Sequence, residues 1–336
     1  MEEFLHYHPF PLENGQILPA IRVGYHTYGH LNAAGDNVIW ICHALTANSD
    51  VIRWWPGMVG EHRLVNPEKY FIVCANILGS CYGSSGPLSE DPVTGETYYS
   101  SFPAVTVRDM VKAHILLRKH LGIKQIRLLM GGSMGGYQVL EWCLMESLII
   151  KELFLIATSA AESAWGIAVH TAQRLAIEAD PTWLDRSEEA GAKGLRAARG
   201  IGILTYRNYA IMKEKQTDTE INKLDNYRAS SYISYQGNKL SRRFNVYSYW
   251  LLTKSMDSHN IARNRSGELK NVLSTINQRT LIVGITSDIL CPVAEQEFLA
   301  SHIPNSKLAI IDSIYGHDGF MVETEKIGAC LQEWML

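Results

Sequence analysis

A chain of 336 residues with 46% hydrophobic content and a formal net charge of −3 has room for one large core plus an insertion, and offers nucleic acid no electrostatic footing. The opening Met1-Glu2-Glu3-Phe4 lacks the basic and apolar stretches of a secretory signal, and no apolar run reaches membrane-spanning length, so a cytoplasmic protein with no membrane partner is expected. The six cysteines lack C-x-x-C spacing, and Cys42, Cys74 and Cys143 sit inside apolar segments, which reads as reduced structural thiols and no metal site.

In chain order, Ile21–Tyr28 alternates like an early antiparallel strand, and Asn37–Cys42 and Tyr70–Asn76 are short, strongly apolar strands. Val107–Leu117 carries apolar residues at the i, i+3, i+4 and i+7 positions of a helix, and Gly122 stops it. Gln125–Met130 reads as a strand, Tyr137–Met145 as a helix and Glu152–Ala157 as a strand. From about Ala161 to Leu273 the pattern becomes helical and more polar, with charged turns near Asp185–Glu189 and Lys213–Asn222. Strand character resumes at Thr280–Ser287 and Lys307–Ile311, and a last helix is expected over Gly319–Trp334. Alternation interrupted once and then resumed predicts an α/β fold: a mostly parallel central sheet with a helical lid inserted after its sixth core strand. The expected division is a core over 1–160, a lid over 161–273 and a second core segment over 274–336.

Between the strand at Gln125 and the helix at Tyr137 lies Gly131-Gly132-Ser133-Met134-Gly135-Gly136. A serine on a tight strand-to-helix turn takes a strained backbone, and small neighbours allow the close approach this requires. Its Oγ is then exposed at the sheet edge, and the N–H of Met134 lies at a helix N-terminus, where unsatisfied donors favour developing negative charge. An α/β-hydrolase fold continues with an acid after a later strand and a histidine near the C-terminus. Asp288 follows the strand at Thr280, and His317 follows the strand at Lys307, so Ser133, Asp288 and His317 stand in the required order. The second oxyanion donor comes from the loop after an early core strand. Here that loop is His43-Ala44-Leu45-Thr46-Ala47-Asn48, and the backbone N–H of Leu45 is the candidate.

At this point the residues resemble the homoserine O-acetyltransferase family. The resemblance is carried by His43-Ala44-Leu45-Thr46, Trp54-Trp55, Asn76 to Pro87, Thr106 to Met110, the Gly131 to Gly136 turn and Glu141-Trp142. In the lid it is carried by Leu204-Thr205-Tyr206-Arg207, Tyr235-Gln236-Gly237 and Arg243-Phe244, and near the end by Tyr315-Gly316-His317-Asp318. The resemblance implies a nucleophile at Ser133, a base at His317 oriented by Asp288, oxyanion donors at Leu45 and Met134, and acceptor contacts from Arg199, Tyr206 and Asp318. It further implies acetyl-CoA as co-substrate, homoserine as acceptor and no permanently bound cofactor. Arg199 and Tyr206 are seven apart and share a helix face. A guanidinium suits an amino-acid carboxylate, and Asp318 can hold the ammonium group. The plainer roles are a solvated lid arginine for Arg199 and an N-cap of the last helix for Asp318. Departures from the family pattern lie on the lid side: Ala47 for a glycine, Asn245 for an aspartate, Tyr247 for an asparagine, and a short Pro181–Lys193 segment.

The chemistry expected is double displacement through an acetyl-serine. A serine hydrolase with the same triad is the competing reading, and an interaction protein on a hydrolase scaffold is a third. The residues leave acetyl or succinyl donors, and homoserine or serine acceptors, open. The aromatic and basic run Ser231–Trp250 is expected to be a packed lid helix pair at a homodimer interface rather than a base-stacking surface.

Overall fold

Apolar runs rich in branched residues form one eight-stranded sheet in the computed structural model, which describes residues 1–265 and 267–335. Its strands are β1 (Glu2–His6), β2 (Ile21–Tyr28), β3 (Val38–Cys42), β4 (Phe71–Ala75), β5 (Ile126–Gly132), β6 (Ile150–Ile156), β7 (Arg279–Ile285) and β8 (Ser306–Ile311). The spatial order is β1-β2-β4-β3-β5-β6-β7-β8. β2 pairs antiparallel with β1 and β4, and β3 to β8 run parallel with β4. Every residue of β3 is buried, the signature of a strand covered on both faces. The insertion leaves after β6, as expected, whereas β1, in which only Phe4 is buried, carries no apolar pattern that marks it in the sequence.

Helices α1 (Val107–His120) and α2 (Met134–Met145) cover one face. α1 starts with a capping box, in which Thr106 Oγ1 accepts from the Asp109 N–H while the Asp109 carboxylate accepts from the Thr106 N–H. The insertion supplies α3 (Ala164–Glu178), α4 (Ala192–Tyr206), α5 (Tyr209–Gln216), α6 (Arg228–Ser241) and α7 (Val246–Asp257). After it come α8 (Val293–His302) and α9 (Thr324–Met335).

Several boundaries differ from expectation. β5 runs two residues further, to Gly132, and α2 begins at Met134, so the turn between them is Ser133 alone. The segment at Lys213 is helical, within α5. The helices of the aromatic run pack elsewhere than on each other: α6 lies against α4, and α7 lies chiefly against α3. Gly237 lets α6 approach the Arg196 backbone within the insertion, whereas α7 also faces the core, with Leu251 beside Gly79 and Ser255 Oγ donating to Val105 O at 2.6 Å. The single last helix breaks into a turn over Gly316–Asp318, a short helix Gly319–Val322 and α9, because Glu323 leaves helical backbone geometry at ψ 45°.

Candidate active site

The turn at Ser133 is strained, with φ 54° and ψ −129° on a residue that carries a Cβ. Its neighbours show what holds it. A Cβ on Gly135 would lie 2.2 Å from Cys42 O, one on Gly136 2.3 Å from Thr158 Oγ1, and one on Gly131 2.4 Å from the Gly135 backbone. The glycines therefore let α2 sit directly on the end of β3, and no side chain can be added without moving backbone. Ser133 N–H donates to Ile156 O at 3.0 Å, and Thr158 Oγ1 donates to Ser133 O at 2.8 Å, which pins both sides of the turn.

The two carboxyl-terminal loops meet this serine. Ser133 Oγ lies 2.8 Å from His317 Nε2, and His317 Nδ1 lies 2.7 Å from Asp288 Oδ2. Asp288 Oδ1 accepts from the N–H groups of Leu290 at 2.8 Å and Cys291 at 2.9 Å, so the carboxylate cannot rotate away from the ring. All three side chains are buried. Burial by itself lowers the His317 pKa, yet the adjoining Asp288 carboxylate outweighs it and holds the imidazole above its ordinary value. This hydrogen-bonded chain has the geometry that a serine nucleophile, a base and an orienting acid require.

The Leu45 N–H and the Met134 N–H have no protein acceptor among the described residues; Leu45 lines the cavity over Oγ, and Met134 is the first residue of α2, directly after Ser133. Gln138 Nε2 ties them together, donating to His43 O at 3.1 Å and to Met134 O at 3.2 Å. His43 fills the core beneath: its Nε2 accepts from the Ile77 N–H at 3.2 Å, and burial lowers its pKa to about 4, so it is neutral. Arg243 reaches across from the insertion and donates to Thr46 O at 2.6 Å and to Tyr82 Oη at 2.9 Å.

A cavity of about 250 Å³ opens over Ser133, and Arg199, Tyr206 and Asp318 all line it. Arg199 is not a solvated lid arginine. It is half-buried, its Nε is buried without a partner, and its guanidinium lies 5.2 Å from the Tyr206 ring centre, as their shared helix face predicts. Asp318 is not an N-cap either, since its backbone is already helical and its side chain makes no cap bond. Its Oδ2 accepts instead from Arg207 Nη1. Burial raises the Asp318 pKa, and the Arg207 and Arg199 cations oppose that rise. Gly316, at φ +66°, lets this loop press against the end of α4: a Cβ there would lie 2.8 Å from Tyr206 O.

Comparison with known proteins agrees with this geometry. Residues 37–324 match the family model of the alpha/beta hydrolase fold. The homoserine O-acetyltransferase of Cyclobacterium marinum is 44% identical over 325 residues, covering 97% of this chain and 92% of that protein. The chain belongs to the homoserine O-acetyltransferase family. In fold, it resembles the crystal structure of a homoserine O-acetyltransferase from Bacillus anthracis, at TM-score 0.89 and 23% identity over 98% of this chain and 96% of that one. It resembles esterase E22 equally, at TM-score 0.90 and 19% identity over 100% of both chains.

Within this family frame the departures fall mostly outside the cavity. Asn245 caps α7, accepting from the Tyr247 N–H at 2.9 Å, and Tyr247 Oη donates to Asp185 O. Asp180 Oδ2 accepts from the Gly194 N–H at 2.9 Å, closing the short segment before α4. Only Ala47 of the departures lines the cavity. Sequence reasoning missed Arg207 as the partner of Asp318, although it sits in the quoted Leu204–Arg207 run. It also missed Gln138 and Thr158, whose roles depend on backbone atoms that no residue pattern marks.

Proposed function

We propose that the protein transfers an acetyl group from acetyl-CoA to the γ-hydroxyl of L-homoserine. The observation that carries this reading is the unpartnered Arg199 guanidinium beside Asp318 in the cavity over Ser133, a charge pair that suits a zwitterionic acceptor and that a simple ester would not need. Ser133 Oγ attacks the thioester carbonyl while His317 Nε2 takes its proton, and the Leu45 and Met134 N–H groups hold the tetrahedral oxyanion. The proton passes from His317 to the departing thiolate, leaving acetyl-Ser133. Homoserine binds with its carboxylate on Arg199, beside Tyr206, and its ammonium against the Asp318 oxygen that Arg207 leaves free. His317 then deprotonates the γ-hydroxyl, which attacks the acetyl carbonyl, and the proton returns to Ser133 as O-acetylhomoserine departs.

The insertion over 161–273 serves as the lid in this scheme, because Arg199 and Tyr206 belong to it while the triad belongs to the core. Exposed Leu204 and Tyr235 on its outer helices support a homodimer formed through the lid. Among the described residues no helix is long and apolar enough to cross a membrane. The reading places the protein in the cytoplasm, where its acyl-CoA donor is available. Hydrolysis is the second reading, favoured by the full-length likeness of fold to an esterase. Transfer prevails over water only where the acceptor hydroxyl is held at high effective molarity, on the order of 10⁵ M. A free-thiol assay with acetyl-CoA separates the two: thiol release that depends on homoserine and yields O-acetylhomoserine supports transfer, whereas equal release with no acceptor supports hydrolysis. Serine and succinyl-CoA in parallel assign acceptor and donor.

A further inference from the structure

The cavity contains a second histidine that this scheme does not use. His170 lies on α3, is 2% exposed and lines the cavity together with Ser133, Arg199 and Asp318. Its Nδ1 lies 2.9 Å from Asp257 Oδ1 on α7, and Asp257 Oδ2 accepts from Arg174 Nη2 at 2.6 Å. Arg174 thereby offsets the charge of Asp257. The Asp257 carboxylate accepts the His170 Nδ1–H, which leaves Nε2 as the ring atom not engaged by it. Among the described residues no protein group bonds to that nitrogen. The remaining acidic group near the ring is Glu162, whose carboxyl burial raises.

With Nδ1 committed to Asp257, Nε2 is the atom of this cavity-lining ring left to meet a ligand. The acceptor amino acid has one charged donor, its ammonium, with three N–H bonds to place. Asp318 offers one free oxygen, since Arg207 occupies the other. Arg199 projects from α4, which packs directly against α3, so the cavity presents a donor for a carboxylate and an acceptor for an ammonium from adjacent helices. We propose that His170 is a specificity-determining residue whose Nε2 accepts a hydrogen bond from the α-ammonium of the acceptor, making the enzyme select amino acids over hydroxy acids. This rests on the amino-acid acyltransferase reading above. Leu290 and Met256 also line the cavity and offer an ammonium no hydrogen-bond acceptor from their side chains.

The test compares homoserine with 4-hydroxybutyrate, which keeps the hydroxyl and carboxylate and lacks the ammonium, in wild type, His170→Leu and His170→Gln. In the leucine variant kcat/KM for homoserine is expected to fall about ten- to a hundredfold, chiefly through KM, while the value for 4-hydroxybutyrate changes by less than about threefold. Formation of acetyl-Ser133 in an acetyl-CoA pulse stays near wild type, and the glutamine variant, whose amide oxygen can reach the same place, recovers most of the preference. If the leucine variant does not fold, His170→Phe carries the same comparison. A preference for homoserine that survives the loss of the imidazole, or an equal loss for both acceptors, overturns the inference alone. A wild type whose thiol release ignores homoserine overturns the functional reading and this inference with it.

Discussion

At Asp288 a single oxygen decides how the base behaves. Oδ2 takes the His317 Nδ1–H while Oδ1 is held by two backbone N–H groups, so an amide in its place would present the wrong partner to one of them. Asp288→Asn is expected to fold normally and to lose about two to four orders of magnitude in kcat, because it no longer fixes the tautomer or stabilises the imidazolium. The residual activity carries a second signature. The Asp288 carboxylate keeps His317 above its ordinary value of 6.5, so the wild-type acidic limb of kcat/KM lies above that pH and shifts downward in the variant. A limb that stays in place assigns the titration to another group. For folding the sign is opposite: a raised imidazole contributes stability below pH 6.5, and that contribution fades as pH rises through the folded-state value. At Arg199 the expected loss is confined to the second half-reaction. Arg199→Ala should form acetyl-enzyme at a near-normal rate in a rapid-quench pulse, and should transfer to homoserine about a hundred- to a thousandfold more slowly. Equal loss in both half-reactions would remove Arg199 from the acceptor site.

Elements matter here through the way their ends abut. The N-terminus of α2 rests on the C-terminal end of β3, and Gly135 is the contact, with no room between it and Cys42 O. That contact joins the turn carrying the Met134 N–H to the strand end that leads into the loop carrying the Leu45 N–H. Gly135→Ala is expected to lower stability by about 1–3 kcal/mol, since backbone must shift to admit the methyl group. Its acylation rate should fall further than stability alone explains, because the shift pulls the two donors apart. Urea unfolding together with single-turnover acylation checks both parts, and an unchanged acylation rate would show that the donors do not depend on this contact. The end of α4 meets the His317 loop in a similar way, with Tyr206 O against Gly316 and Arg207 on Asp318. One insertion helix thus carries the cavity's Arg199 and also braces the loop that carries its base.

Over the whole molecule, the first core segment and the end of the insertion are joined by buried charge. Glu141 on α2 is 1% exposed and accepts from Arg108 Nε of α1 at 3.1 Å and from Arg265 Nη2 at 2.7 Å. Arg108 also pairs with Glu13 at 2.8 Å, and Arg263 reaches the same glutamate at 2.8 Å. The N-terminal loop, the helices beside the nucleophile and the chain returning from the lid therefore share one network. Removing its centre leaves Arg265 with no counter-charge and Arg108 with Glu13 alone. Glu141→Ala is expected to cost about 3–5 kcal/mol, measured by chemical denaturation, while Glu141→Gln should cost less because the amide still accepts one bond. A loss under about 1 kcal/mol would mean that the network is not what joins these segments.

Most of the element order, the strand that precedes Ser133, the family, and the positions that bring Ser133, Asp288 and His317 together could be read from residues, because each depends on local pattern. Apolar runs mark buried strands, and glycines around one serine mark a turn that only small residues permit. Chain order then leaves few alternatives for the acid and the base. What the residues could not show is which polar side chains neutralise one another across the fold. Arg207 and Asp318 are 111 residues apart, and His170 and Asp257 are 87 apart, so their pairing exists only once the insertion has docked on the core and on itself. The same holds for the proposed oxyanion donors, the backbone N–H groups of Leu45 and Met134, whose direction side-chain identity does not encode. Burial decides these matters, because removal from water turns an ordinary arginine, aspartate or histidine into a group that must find a partner or present itself to a ligand.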